Sequence, residues 1–287
     1  MKVAQRFDCE IINCDSRQIY QEMNIGTAKP DHEDFKQIRH HLFDIVKPDT
    51  RFNAGEYMLK ATETIRQIIG RKKIPLLTGG TGFYYSAVSE GLPAFEGNPE
   101  TAQMLQKIFE EKGLEELQNL LFLKDPEAYG NIDLMNPRRV IRALEIVIHT
   151  GRPFSMNRPE PPLKEAAFFP VVVSRPREIL HARIESRVDQ MLKNGLEKEV
   201  KSLIKKYGET APGLNSIGYS EWFPFFKGII EIKQLREEII VNSRQYAKRQ
   251  ETWFKKRPGV PIRNLEAIDS ERKIFDEIKV FLKQFAL

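Results

Sequence analysis

The stretch Ile11 to Pro30, IINCDSRQIYQEMNIGTAKP, constrains the fold more than any other part of the chain. It opens on the apolar run Ile11-Ile12-Asn13-Cys14, the pattern of a strand buried in a parallel sheet. Asp15 and Ser16 follow, where such a strand hands over to a loop and a helix. Ligands of open α/β sheets bind beyond the carboxyl ends of the strands, so a carboxylate at Asp15 is a candidate base. The plainer role is a cap for a helix carrying Gln18, Ile19 and Tyr20. Position alone leaves both roles open.

A second buried run, Ile74 to Thr78, leads into Gly79-Gly80-Thr81-Gly82-Phe83-Tyr84-Tyr85. A glycine-rich turn between strand and helix exposes backbone N–H groups to an anion, although the glycines also suit a tight turn alone. Between these strands, FNAGEYMLKATETIRQIIGRKK has a helical period. It puts Tyr57, Ala61, Ile65 and Ile68 on one face, with Asn53 as cap. Phe168 to Ser174 reads as another buried strand. Leu180, Ile184, Val188, Met191, Leu196, Val200 and Leu203 then continue as one long helix. Met1 to Asp8 reads as the end of a helix, Asp31 to Arg39 as a helix or loop, and the tail beyond Leu265 as a closing helix with Ile274, Ile278 and Phe281.

Composition shifts from Gly91, with Pro93, Gly97 and Pro99 marking a boundary. Pro99 to Thr150 reads as short amphipathic helices, the last opening at Asn136-Pro137 with proline in the first helical position. Pro153 to Lys164 reads as a linker returning to the core. These shifts divide the chain into an α/β core, residues 1–93 and 162–287, and a helical insertion, residues 94–161.

With 287 residues, 41% hydrophobic and 30% charged, the chain is an ordinary globular one. A net charge of +5 permits a polyanionic partner without requiring one. Cys9 and Cys14 lie on opposite faces of one strand and read as buried thiols of a reducing compartment. No cysteine or histidine spacing suggests a metal site. Adjacent His40 and His41 face opposite ways and suit structural hydrogen bonds. No apolar run approaches the ~20 residues of a membrane span, and the amino terminus has no apolar signal core. The expectation is a cytoplasmic monomer without a membrane partner.

Basic residues cluster at helical spacing. Arg138, Arg139 and Arg142 share one face, relieved in part by Glu145. Arg183 and Arg187 lie four apart, either matched to Glu185 and Asp189 or left for an anion. Asn242 to Arg257, NSRQYAKRQETWFKKR, interleaves Arg244, Lys248, Lys255, Lys256 and Arg257 with Tyr246 and Trp253. These two aromatics are core or base-stacking residues.

Taken together, these strings resemble the tRNA dimethylallyltransferases, the isopentenyl-diphosphate:tRNA transferase family. Asp15, Ser16, Tyr20 and Gly26-Thr27-Ala28-Lys29-Pro30 match its first segment. Further matches are the Gly79 turn, Asn136 to Glu145, Arg177 to Val200, Leu214 to Tyr219, and Ser243 to Phe254, with serine for the family's leading threonine. The resemblance is nearly continuous from Ile11 to about Pro258. It implies a P-loop-NTPase-like parallel sheet flanked by helices, with an all-helical insertion that contacts the anticodon arm. It implies transfer of a dimethylallyl group from dimethylallyl diphosphate to N6 of adenosine 37 in tRNAs reading codons that begin with U, with Mg2+ held largely by the diphosphate. It makes Asp15 the base and Arg187 the contact for the departing diphosphate, with Arg183 behind it. It assigns tRNA contact to Asp15, Ser16, Arg17 and Gln18; to Thr81; to Arg138, Arg139, Val140, Ile141 and Arg142; to Ile217, Gly218 and Tyr219; and to Arg244 and Lys248.

The family's phosphate loop, G-x-x-x-x-G-K-[ST], does not occur in this sequence. The match starts just downstream of it, so its lysine and magnesium-binding hydroxyl have no counterpart here, and the sheet is expected to lack one central strand. Three other readings stand beside the transferase. A small-molecule kinase would need that same loop. A free-adenylate prenyltransferase would lack the insertion. A tRNA-binding remnant would bind RNA without turnover.

Overall fold

The computed structural model describes residues 1–93, 98–156, 159–257 and 259–285. The boundary residue Gly97, the linker residues Asn157 and Arg158, and Pro258 lie outside the described residues. Two compact units emerge: residues 1–89 with 163–287, and residues 90–162.

The first unit begins with helix α1 (Lys2–Arg6), strand β1 (Cys9–Asn13), helix α2 (His32–Gln37), strand β2 (His40–His41), helix α3 (Ala54–Gly70), strand β3 (Ile74–Thr78) and helix α4 (Gly82–Ser89). β1 is buried along its whole length and pairs in parallel with β2 on one side and β3 on the other. The registers Ile12↔His41 and Ile12↔Leu77 tie the three together.

Why α3 forms is legible in its residues. Asn53 accepts from the Gly55 and Glu56 amides, and Glu56 reaches back to the Asn53 amide, a reciprocal capping box. Its apolar stripe, Tyr57, Ala61, Ile65 and Ile68, is buried against Ile12, Cys14 and Tyr84. Truncating such a residue to alanine costs about 2–5 kcal/mol. The other face of β1 buries Cys9 and Ile11 with Ala4 and Ile38. The two cysteines thus enter separate cores, where burial pushes their thiols up to about 11 for Cys9 and about 12 for Cys14. Both histidines are structural. His41 meets Glu10 at 2.6 Å, and His40 packs against Phe35 and Phe43.

The second unit holds α5 (Pro99–Lys124), α6 (Pro126–Asn131) and α7 (Pro137–Thr150). Each starts with a capping Asn or Asp, residues 98, 125 and 136, followed by proline. Gly113, at φ 83°, breaks α5 in two. Leu105, Leu117, Leu121, Val140 and Leu144 form its core.

The first unit then resumes with β4 (Val172–Ser174), α8 (Arg177–Lys193), α9 (Leu196–Tyr207), α10 (Trp222–Phe226), α11 (Ile232–Lys255), β5 (Ile262–Asn264) and α12 (Ser270–Lys283). α8 to α11 close over Ile19, Tyr20 and Met23 in the largest core.

Four expectations are corrected. No helix follows Asp15: residues 17–19 turn, Tyr20 bridges to Val46, and Glu22 and Ala28 take positive φ, which an α-helix cannot hold. The long helix after β4 is two, because Gly195 sits at φ 93°. β4 keeps only the last three residues of its expected run. β5, unforeseen, pairs with β4 in a separate two-stranded parallel sheet, so the α/β layer comes in two pieces.

Candidate functional site

The carboxyl ends of β1 and β3 converge into one knot of backbone. Cys14 N–H donates to Thr78 O at 2.7 Å, and Thr81 N–H donates back to Cys14 O at 3.1 Å. Gly79 permits this approach, since a Cβ there would stand 2.3 Å from the Cys14 carbonyl. Ser16 N–H donates to Thr81 Oγ1 at 2.9 Å, and that hydroxyl donates to Ser16 Oγ at 3.2 Å. Asp15 is half-buried beside this knot. Its Oδ1 accepts from Arg17 N–H at 2.8 Å. Its Oδ2 has no hydrogen-bond partner among the described residues. The expected helix cap is replaced by a turn: one oxygen accepts from the Arg17 amide, and the other remains open as an acceptor among the described residues.

Helix α11 lies across the glycine turn. Gln250 Nε2 donates to Gly80 O at 2.9 Å, and the Trp253 ring sits against Gly82. The Tyr246 hydroxyl lies near the Thr81 and Gln250 side chains. Burial first, then the negative charge of Asp15, pushes that hydroxyl above the usual phenol range, so Tyr246 stays neutral there. Sequence reading set these aromatics down as core or stacking residues. They are half-buried and hold the turn that carries Thr81.

The Gly26 to Pro30 turn is held from inside. Lys29 Nζ donates to Tyr20 O, Asn24 Oδ1 and Asp44 Oδ1 at 2.8, 3.0 and 2.6 Å, and its side chain is 3% exposed. Glu199 on α9 accepts from the Asn24, Ile25 and Gly26 amides and from the Tyr219 hydroxyl. The Tyr219 ring covers Gly26 so closely that a Cβ would lie 2.4 Å from it. Gln18 spends its amide on the Thr27 and Ala28 carbonyls, both at 3.1 Å. Of the residues expected to touch RNA here, Arg17 is exposed, Ser16, Gln18, Thr81 and Ile217 are partly exposed, and Tyr219 is wholly buried. Gly218 gives its amide to Glu221 at 2.8 Å. Glu199 was missed in the sequence, where it is one acid in a charged helix; only the family string around it gives a signal.

On α8, the acids have been taken by α11. Arg236 grips Asp189 through two bonds of 2.6 and 3.0 Å, and Arg244 pairs with Glu185. Arg183 and Arg187 are exposed, and neither has an ion-pair partner among the described residues. The match to Glu185 and Asp189 is thereby excluded. Arg244 itself is tied up, while Lys248 is exposed. Within the helical unit, Arg142 donates to buried Glu145 at 2.9 Å, and Arg139 stands 3.7 Å from Asp133. Arg138 is exposed, Ile141 half-buried, and Val140 sits in the core, so the Val140 side chain is packing rather than contact surface.

No group of three His, Cys, Asp or Glu side chains could hold a metal among the described residues. No described helix is long and apolar enough to cross a membrane.

A parallel-sheet core with a carboxylate at the end of its central strand, beside a glycine-rich turn, is the arrangement of an α/β enzyme that binds its ligand beyond the strand ends. The chain belongs to the IPP transferase family, whose model matches residues 18–257. It is 38% identical over 284 residues to the tRNA dimethylallyltransferase of Christiangramia forsetii, covering 97% of this chain and 92% of that one. Its structure resembles the full-length tRNA isopentenylpyrophosphate transferase of Bacillus halodurans, with TM-score 0.72, 32% identity, and 99% and 91% of the two chains covered. It also resembles a eukaryotic dimethylallyltransferase acting on tRNA, with TM-score 0.76, 25% identity, and 95% and 73% covered. Family membership sets aside the kinase and the free-adenylate prenyltransferase.

Proposed function

We propose that the chain transfers a dimethylallyl group from dimethylallyl diphosphate to N6 of adenosine 37 in the anticodon stem-loop of tRNAs reading codons that begin with U. The observation that carries this reading is the half-free carboxylate of Asp15 at the end of β1. Adenine N6 is a weak nucleophile because its lone pair is delocalised into the ring. As N6 attacks the allylic C1, the C–O bond to diphosphate breaks, and the electron pair leaves with the diphosphate. The N6 proton passes to Asp15. Arg187, with Arg183 one turn away, faces the charge that develops on the leaving group. The two arginines suit this because no acid among the described residues pairs with them.

Mg2+ fits as a substrate-borne ion. A small hard cation keeps several waters and is held by one or two carboxylates plus phosphate oxygens. This chain offers Asp15 and the Ser16 and Thr81 hydroxyls rather than a carboxylate cage. When bound, the ion neutralises diphosphate oxygens.

The reacting base must leave its stack, which costs a few kcal/mol. Arg17, Arg138 and Lys248 are exposed cations suited to holding the RNA by its phosphates. The protein acts as a monomer, since its large exposed apolar side chains, such as Leu59, Met135 and Ile268, are scattered over separate segments.

Asp15→Ala separates these assignments. Prenyl transfer is expected to fall about 100- to 10,000-fold, while a tRNA gel-shift is unchanged. Equal loss of both would remove Asp15 from the role of base. Wild-type chain that shifts tRNA and never prenylates it would instead be a binding remnant.

A further inference from the structure

Asn13 is the most unusual residue of the central strand. β1 is apolar apart from Glu10, which is paired with Arg71 and His41, and asparagine is depleted in strands. Yet Asn13 closes β1 with no exposure at all. A buried amide is tolerated when its hydrogen bonds are made. Here its Nδ2 donates to Asp15 O at 3.1 Å and Leu42 O at 3.0 Å, and its Oδ1 accepts from Asp15 N–H at 2.9 Å. Both amide hydrogens are used, and the network fixes which way the amide points. The Asn13 carbonyl is itself held by the Tyr57 hydroxyl at 3.0 Å.

One side chain therefore grips both backbone polar groups of Asp15. The remaining freedom of Asp15 is its side-chain torsion, which the Arg17 amide sets through Oδ1. Oδ2 is aimed before any substrate arrives. Leu42, whose carbonyl shares the amide, is a non-glycine residue at φ 62°, so the same side chain also pins a left-handed corner after β2.

We infer that Asn13 is a positioning residue for the reaction: it clamps the backbone of Asp15 and so holds the carboxylate in line for the N6 proton. This rests on the reading of Asp15 as the base. Asn13 is wholly buried and acts on the reaction through Asp15. A misplacement near 1 Å can cost about 100-fold in rate, and that is the scale expected here.

The experiment uses the full chain with tRNA and dimethylallyl diphosphate. Asn13→Ala is expected to lower kcat about 100-fold while KM for tRNA stays within about threefold. Asn13→Ser, whose hydroxyl can still bond one nearby backbone group, is expected to recover part of kcat. It also guards against an alanine variant that fails to fold. Amide hydrogen exchange gives a second readout that needs no turnover. The Asp15 N–H should exchange at least about tenfold faster in the variant, with neighbouring β1 amides still slow. Unchanged kcat, a KM for tRNA that rises as far as kcat falls, or unchanged Asp15 exchange would each overturn the clamp. Wild-type chain without prenyl transfer would sink the reading of Asp15 as base and leave the clamp to be decided by exchange.

Discussion

Helices α7 and α8 carry the same written pattern, arginines three or four apart with an acid close by, and they resolve it in opposite ways. In α7, Arg142 turns to Glu145 on its own helix, and Arg139 to Asp133 just before it. In α8, the acids are taken from outside by Arg236 and Arg244 of α11. Arg183 and Arg187 are left without an ion-pair partner among the described residues. Local spacing decides the first case and tertiary packing the second. A helix can thus be stripped of its own counter-charges by a neighbour and made ready for an anion.

The sharpest way to break this comparison is Arg187→Ala. Loss of a donor aimed at developing charge typically costs about 100- to 1,000-fold in kcat, and tRNA affinity should hardly change. If turnover falls by less than threefold, the unmatched arginine is a solvated one. Next in size is Arg142→Ala, which leaves Glu145 buried with the Asn98 amide as the other partner of its carboxylate. Urea unfolding should show a loss of about 1–3 kcal/mol, whereas Arg187→Ala leaves stability near wild type.

Arg138→Ala tests the exposed cation of α7. It should weaken tRNA binding a few-fold and lower the salt slope by about one unit. An unaltered slope would remove Arg138 from the RNA contact. The smallest effect concerns another acid held by a neighbouring helix. Hydrogen bonds from Arg71, helped by His41 and opposed by burial, pull the Glu10 carboxyl from 4.5 to about 2. A lowered folded value stabilises fully above pH 4.5, and this contribution is lost as pH falls from there to about 2. Arg71→Ala should therefore lower stability at pH 7 and move acid unfolding to higher pH, with the gap to wild type closing as pH falls towards about 2.

The same division explains what could be read from the sequence. Period and end signals gave α3 and α7, because Asn53 and Asn136 act on amides two or three residues away. The strand end with Asp15 and the turn with Thr81 were legible as separate motifs; their joining through Ser16 spans 65 positions. The helix expected after Asp15 failed because Ile19 and Tyr20 serve a distant core rather than a helical face. Glu199, and the way Tyr246 and Gln250 meet the glycine turn, escaped notice because their partners lie far off in sequence. Asn13 was readable as part of a strand, and its grip on Asp15 was not, since only geometry shows where an amide points.

Lys29 has one more consequence. With its ammonium enclosed by three oxygens, and burial lowering its proton affinity below that of an ordinary lysine, it is chemically hidden. An acylating reagent should mark the solvent-facing lysines within seconds and reach Lys29 only when the Gly26 turn opens. Its labelling rate is then a built-in clock for that opening, readable from a single peptide mass, and it should slow when RNA settles on the turn.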